Sequence, residues 1–514
     1  VAGRANALTG VAGPDSSAFP QLNSGFVMLL GFVVVYLLCT IAIGLWAAKN
    51  VKTTADFAVA GRHLPMIMIV TTTFATWFGS ETVLGIPAKF IEGGLGAVVE
   101  DPFGAGSCLI LVGLFFAAKL YRMTLLTISD YYRERYGRGV EVACSLIIIM
   151  SYLGWVSAQV TALGLVFNLL SGGAIPIEMG MIIGTTVILT YTLFGGMWSV
   201  AVTDFVQMII LVVGLSAIAI FAANLAGGAD KVIELAASKD LFRFFPEPSF
   251  TEIMFFIAAA ITMMFGSIPQ QDVFQRVMSA RDEKAATRGP VIGGICYILF
   301  ASVPMFLVTS ALIIMPEKAA ELIAEDPQKV LPTLVLEKMP LIMQVLFFGA
   351  LLAALQSVAS ATLLAPSVTF VENIWRQFKP RISDRQELLT MRIAVLVFAC
   401  CVCAYAIALK GTPIYEMVSG AYQVTLVGAF VPLVAGLFWS RATTQGAVFA
   451  IVLGLATWGI LLLAGLGEVF PPQLAGFAMA AVGMVIGSLG PQRLIRNQHA
   501  SHRHMTGVEG RGAH

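Results

Sequence analysis

Apolar runs of about 20 residues recur from residue 25 to residue 490, each closed by a short cluster of charged, glycine or proline residues. A helix of that length matches the hydrocarbon thickness of a bilayer. Strands of a membrane barrel would instead alternate apolar and polar over about ten residues. The pattern predicts an all-α integral membrane protein with about thirteen transmembrane helices.

Two of these runs are interrupted where a span should be continuous. The stretch IMIVTTTFATWFGSETVLGIPAKFI, at 67–91, carries Gly79, Ser80, Glu81, Thr82, Gly85 and Pro87 in its middle. Far downstream MMFGSIPQQD, at 263–272, repeats the order of apolar run, Phe-Gly-Ser, proline and polar side chains. Unwound backbone at membrane depth is tolerated only where protein or a water-filled cavity surrounds it. Broken helices in corresponding places of two chain halves point to a binding site at the midplane of a transporter.

Composition agrees, since 58% of the 514 residues are hydrophobic and 12% charged, against about 25% charged in soluble domains. The seven cysteines lie in apolar runs without CxxC spacing, so they read as small core residues and not as disulfides or metal ligands. The five histidines fall in a loop or near the C-terminus, which removes a buried imidazole as a proton relay. A net charge of +1 suits no nucleic-acid partner. No HExxH, GxSxG or P-loop appears, so no enzyme is expected. Most of the 31 lysines and arginines fall in alternate connecting segments. By the positive-inside rule this places the N-terminus outside and the C-terminus in the cytoplasm of a multi-pass protein of the cell inner (plasma) membrane. The segment 316–339 has helical spacing and is expected to cap the outer face.

Ionisable residues at membrane depth are costly and mark function by default. Glu81 lies inside the first break, where a carboxylate can hold an amine, a cation or a proton. Asp204, in GGMWSVAVTDFVQ, is either a functional carboxylate or a helix cap. Ser357 and Ser360 share one face of an otherwise apolar helix, where hydroxyls pack helices or bind a hard cation. Trp77 stands beside the first break, Trp155 lies a turn before Gln159, and Tyr422 and Gln423 fall in a later span. A tryptophan face there can hold a substituted ammonium.

Five segments together resemble the sodium/solute symporter family: TISDYYRERYG (127–137), GGMWSVAVTDFVQ (195–207), IPQQDVFQRVMSARDEKAA (268–286), AALQSVASATLLAPSVTFVENI (353–374) and AFVPLVAGLFWSRATTQGA (429–447). ATWFG, the IPxQxxFQRV core and Trp155 are most similar to the choline-transporter-like branch. The resemblance implies inverted five-helix repeats at 64–224 and 250–439, a peripheral first helix at 25–47 and peripheral C-terminal helices at 443–490. Residues 1–24 are expected to form a disordered outer arm, and 491–514 a basic cytoplasmic tail.

The family's main sodium site carries over to the backbone of Ala75, Phe78 and Ala354 and the hydroxyl of Ser357. Its next hydroxyl position is Val358 here, which puts sodium coupling in question. Asp204 and Ser360 match a further ion or coupling site. The solute pocket implied by the resemblance comprises Trp77, Gly79, Ser80, Glu81, Trp155, Gln159, Ser267, Gln270, Tyr422 and Gln423. Gln270 replaces one wall of an aromatic cage, and Glu81 replaces a glycine, so the pocket is more polar than a plain choline cage. The expected function is sodium-coupled import of a small amine, zwitterion or amino acid by alternating access, with no cofactor beyond the coupling sodium ion. Proton coupling, with a similar solute or a monocarboxylate, and a solute sensor without transport are the alternatives.

Overall fold

A computed structural model of the chain describes residues 24–379 and 382–494, so most of the expected N-terminal arm and basic tail lie outside the described residues. The described residues are helical throughout, with a single isolated bridge between Leu64 and Ala280 and no strand. Among the described residues ten helices are long and apolar enough to cross a membrane, or eleven when Phe250–Gly266 and Gln271–Ser279, bent by 45°, are taken as one span. Length and apolarity alone therefore do not reach the thirteen expected. The helical run Ile177–Leu225 has 49 residues, about 74 Å if straight, more than twice the ~30 Å hydrocarbon core. Gly196 breaks it with φ 48° and ψ −141°, a conformation that glycine adopts without steric cost. Its backbone passes Phe57 so closely that a Cβ would lie 2.4 Å from the Phe57 carbonyl oxygen.

The helix Leu341–Phe378 runs through the middle of the bundle, buried on nearly every face from Phe347 to Thr369. It packs against Arg138–Leu170 and Ile177–Leu225, while Thr444–Leu463 and Pro472–Leu489 pack on each other at the edge. The peripheral Ser24–Ala47 exposes Phe32, Val34, Val35, Leu38 and Trp46, an apolar surface suited to lipid rather than water.

At one end of the bundle the segment 316–339, expected to cap the outer face, consists of two short helices, Pro316–Glu325 and Val330–Lys338. Gln328, between them, accepts a hydrogen bond of 3.1 Å from the Ile414 N–H. At the other end, the short helix Ile128–Tyr136 starts with a capping box between Thr127 and Asp130, which satisfies two of its orphan donors. Its tyrosines tie down a neighbouring helix, Tyr132 donating to the Ala429 carbonyl and Tyr136 to the Pro432 carbonyl at 2.8 Å each. Gln271, at the second break, accepts the Ile128 N–H at 2.8 Å. Asn373 donates to Asp130 and Glu141 at 2.9 Å each. These contacts tie the second break to the helix Ile128–Tyr136, and that helix to the end of Leu341–Phe378.

Candidate functional site

The first broken helix stops at Trp77, turns through Phe78 (φ −92°, ψ 71°) and resumes at Glu81 as a wide helical turn running to Gly85. The helix end leaves its last carbonyls, Ala75 among them, without in-helix donors. Gln159 reaches across from Arg138–Leu170 to satisfy the break: its Oε1 accepts the Ser80 N–H at 2.9 Å. Its amide nitrogen then donates to Glu81 Oε2 at 2.7 Å. The Trp155 indole N–H donates to Glu81 Oε1 at 3.1 Å, and the Ser80 hydroxyl to Oε2 at 3.3 Å. Glu81 is thus fully buried and held by three neutral donors. Gly79 has no room for a side chain, since a Cβ would lie 2.6 Å from Glu81 Oε2, 2.8 Å from Val358 Cγ2 and 2.9 Å from Gln159 Oε1.

The aromatic residues expected around a solute gather here. Trp77 stacks on Tyr422 with centroids 6.0 Å apart, and Trp155 lies 5.9 Å from Trp77 and 5.3 Å from Tyr422. Tyr152 stacks on Trp155 at 6.0 Å. Rings this close fill the box themselves, so a guest between them needs the rings to separate. Trp77 Nε1, Tyr422 Oη and Ser267 Oγ are buried without a hydrogen-bond partner, groups whose desolvation costs about 1–3 kcal/mol each until a ligand or water meets them.

The second break supplies Ser267 and Gln270, the latter donating to Ser151 at 2.9 Å and to Thr425 at 3.5 Å. Gln423 departs from expectation. Its Oε1 accepts the Trp458 indole N–H at 3.1 Å, which turns it toward the peripheral helices and away from the ring cluster. One helical step separates it from Tyr422, and about 100° of rotation decides which of the two faces inward.

Asp204 sits on the inner face of its helix, buried and inside Ile177–Leu225 rather than capping it. Its Oδ1 accepts the Ser357 hydroxyl at 2.5 Å, and its Oδ2 accepts the Thr72 hydroxyl. Ser360, expected beside Asp204, instead donates back to the Ser357 carbonyl at 3.0 Å within its own helix. The oxygens that converge are those of Asp204, Ser357 and Thr72, set against the carbonyl end of the first broken helix. Val358 packs on the Gly79 side and contributes no oxygen.

Arg276 is not among the residues that the sequence singles out, since nothing local separates it from the other charges that follow the second break. The structure buries it almost completely inside the helix Gln271–Ser279. Its guanidinium lies 4.0 Å from Asp204 Oδ2, donates to the Asp272 carbonyl at 2.8 Å and to the Thr72 carbonyl at 3.4 Å, and bonds the Thr76 hydroxyl. The helix Gln271–Ser279 is buried all round, and that environment was the missing signal. A charge at that depth requires a partner.

Comparison with known proteins agrees with this geometry. The model of the sodium:solute symporter family matches residues 57–454. The high affinity choline transporter 1 of Homo sapiens is 28% identical over 447 residues, covering 83% of this chain and 75% of that protein. The high-affinity proline transporter PutP of Bacillus subtilis (strain 168) is 27% identical over 475 residues, covering 89% of this chain and 97% of that one. Among solved structures, a substrate-bound, outward-open Na+-coupled sialic acid symporter superimposes with a TM-score of 0.76 at 20% identity, over 90% of this chain and 97% of that one. With that fold, two helices broken at facing positions and a family match spanning both breaks, the chain belongs to the sodium:solute symporter family and is a multi-pass membrane transporter, not an enzyme.

Proposed function

We propose that this protein is a sodium-driven symporter that imports a small amine, zwitterion or amino acid, its N-terminus outside and its C-terminus in the cytoplasm. The observation that carries the reading is Glu81. A carboxylate held by Trp155, Gln159 and Ser80, with no basic side chain bonded to it, stands at the break beside Trp77 and Tyr422. An acidic group next to aromatic faces is the complement of an ammonium. Choline and proline, the solutes in the relatives' names, both carry a cationic nitrogen.

Coupling follows from the second cluster. Ala75, Phe78 and Ala354 would offer backbone oxygens and Ser357 its hydroxyl to sodium, and the adjacent Asp204 carboxylate compensates for the oxygen that Val358 lacks. Sodium bound there ties the first broken helix to Leu341–Phe378 and biases the outward-open form, which then admits solute. Val358 also favours a second reading, coupling by protons through Glu81 or Asp204. Uptake of choline, amino acids and monocarboxylates into proteoliposomes, under a sodium gradient and separately under a proton gradient, separates the two. Accumulation driven by sodium supports the proposal. Accumulation by protons alone overturns the coupling, and binding without counterflow selects a sensor.

A further inference from the structure

Five buried carboxylates line the region of the two breaks: Glu81, Glu100, Asp101, Asp204 and Asp272. Arg276 is the one basic side chain among the buried described residues, and it is committed to Asp204 and to the backbone of Asp272. Glu100 and Asp101 lie in the turn Val99–Gly104, which follows the first broken helix. They play no part in the solute or sodium clusters described above.

Each of the two carboxylates is half satisfied. Asp101 Oδ1 accepts the Tyr297 hydroxyl, which also meets the Thr82 hydroxyl at 2.9 Å, one residue from Glu81. Glu100 Oε2 accepts the Ser419 hydroxyl at 3.0 Å. Asp101 Oδ2 and Glu100 Oε1 are buried with no partner. Tyr415, 8% exposed, sets its hydroxyl beside both carboxylates without a side-chain partner of its own. Two adjacent ionised carboxylates in such a place would each cost several kcal/mol. A metal ion needs several oxygens converging on one point, and no three acidic, cysteine or histidine side chains among the described residues do so.

We propose that Glu100 and Asp101 form a proton-binding site, distinct from the solute and sodium positions, with a proton held on Asp101 Oδ2 while the outer side is closed. Groups from three packed elements face it. The first broken helix brings Glu81 and Thr82, Glu283–Phe300 brings Tyr297, and Ile414–Thr425 brings Tyr415 and Ser419. Glu416, on that last helix, pairs with Lys89 at 3.7 Å instead. Phe250–Gly266 carries its one ionisable residue, Glu252, at its exposed start. Tyr415 also walls a cavity of about 460 Å³, on the side that the proposed orientation places outside. Opening of that cavity hydrates the pair, the Asp101 O–H bond breaks, and the proton passes to water. Closure takes one back, so the cycle acquires a dependence on external pH.

Infrared spectroscopy of purified protein at neutral pH tests the site without any solute, so an error in the solute assignment leaves the result intact. The wild type is expected to show a carboxylic-acid C=O stretch, shifted in D2O, of which one component disappears in Asp101→Asn. Glu100→Gln is expected to keep that component at a shifted frequency, and it carries the test if Asp101→Asn does not fold. An Asp101→Asn spectrum that superimposes on wild type, or a Glu100→Gln spectrum with the band unmoved, overturns the proposal. So does loss of one bound radiolabelled sodium ion per molecule in Asp101→Asn with no change in the acid band, which would make the site one for sodium.

Discussion

Replacing Glu81 with glutamine keeps the shape of the side chain and changes two things. Every neighbour of the carboxylate donates: Trp155 at 3.1 Å, Gln159 at 2.7 Å and Ser80 at 3.3 Å. An amide turns one acceptor into a donor, which then faces either the indole N–H or the Gln159 amide. Gln159 cannot flip freely to accept it, because its own Oε1 holds the Ser80 N–H. The mismatch costs about 1–3 kcal/mol of local stability. The charge matters more for a cationic solute. A hydrogen bond to a charged group contributes about 1.5–3 kcal/mol, equal to a loss of roughly 10- to 150-fold in affinity when it is removed. The half-saturating concentration of choline or proline, whichever is taken up by sodium-loaded proteoliposomes, is therefore expected to rise by about that factor in Glu81→Gln. Glu81→Asp, which retains the charge on a shorter arm, should fall between. A Glu81→Gln protein with wild-type half-saturation for an amine would refute the assignment of Glu81 as the ammonium's partner.

Three further variants test the neighbouring features. Ser357→Ala removes the hydroxyl that bonds Asp204 at 2.5 Å, and its sodium activation curve should move about tenfold higher; an unmoved curve excludes Ser357 as a ligand. Asp204→Asn leaves Arg276 buried without its carboxylate, a loss of about 3 kcal/mol, visible as a lower thermal midpoint. Adding Arg276→Gln should restore that midpoint without restoring sodium dependence, whereas full stability of the single variant would show that the pair does not matter. Gly79→Ala forces a Cβ to 2.6 Å from Glu81 Oε2, overpacking that costs about 1–3 kcal/mol and should abolish uptake in a folded protein. Normal uptake would show that the break has slack.

The two breaks, the apolar spans and the family were legible in the sequence because they are local. A glycine, a serine and a proline inside an apolar run announce themselves without reference to any other part of the chain. Glu81, Trp77 and Trp155 stand out for the same reason, and the structure brings them together. What the chain could not reveal alone were the pairings across distance. Asp204 meets Thr72 and Ser357 over separations of 132 and 153 residues. Arg276 reads as an ordinary loop charge until the fold encloses it. The orientation of Gln423, the self-bonded Ser360 and the half-satisfied pair Glu100 and Asp101 depend on which face of a helix its neighbours cover. Helical periodicity places a side chain within about 100° per residue, but only the packing of the other helices determines which direction is the interior. Sequence by itself therefore determined the all-helical membrane class and the position of the unwound backbone. Tertiary structure decided which polar groups share a site, because burial and countercharge belong to the assembled bundle.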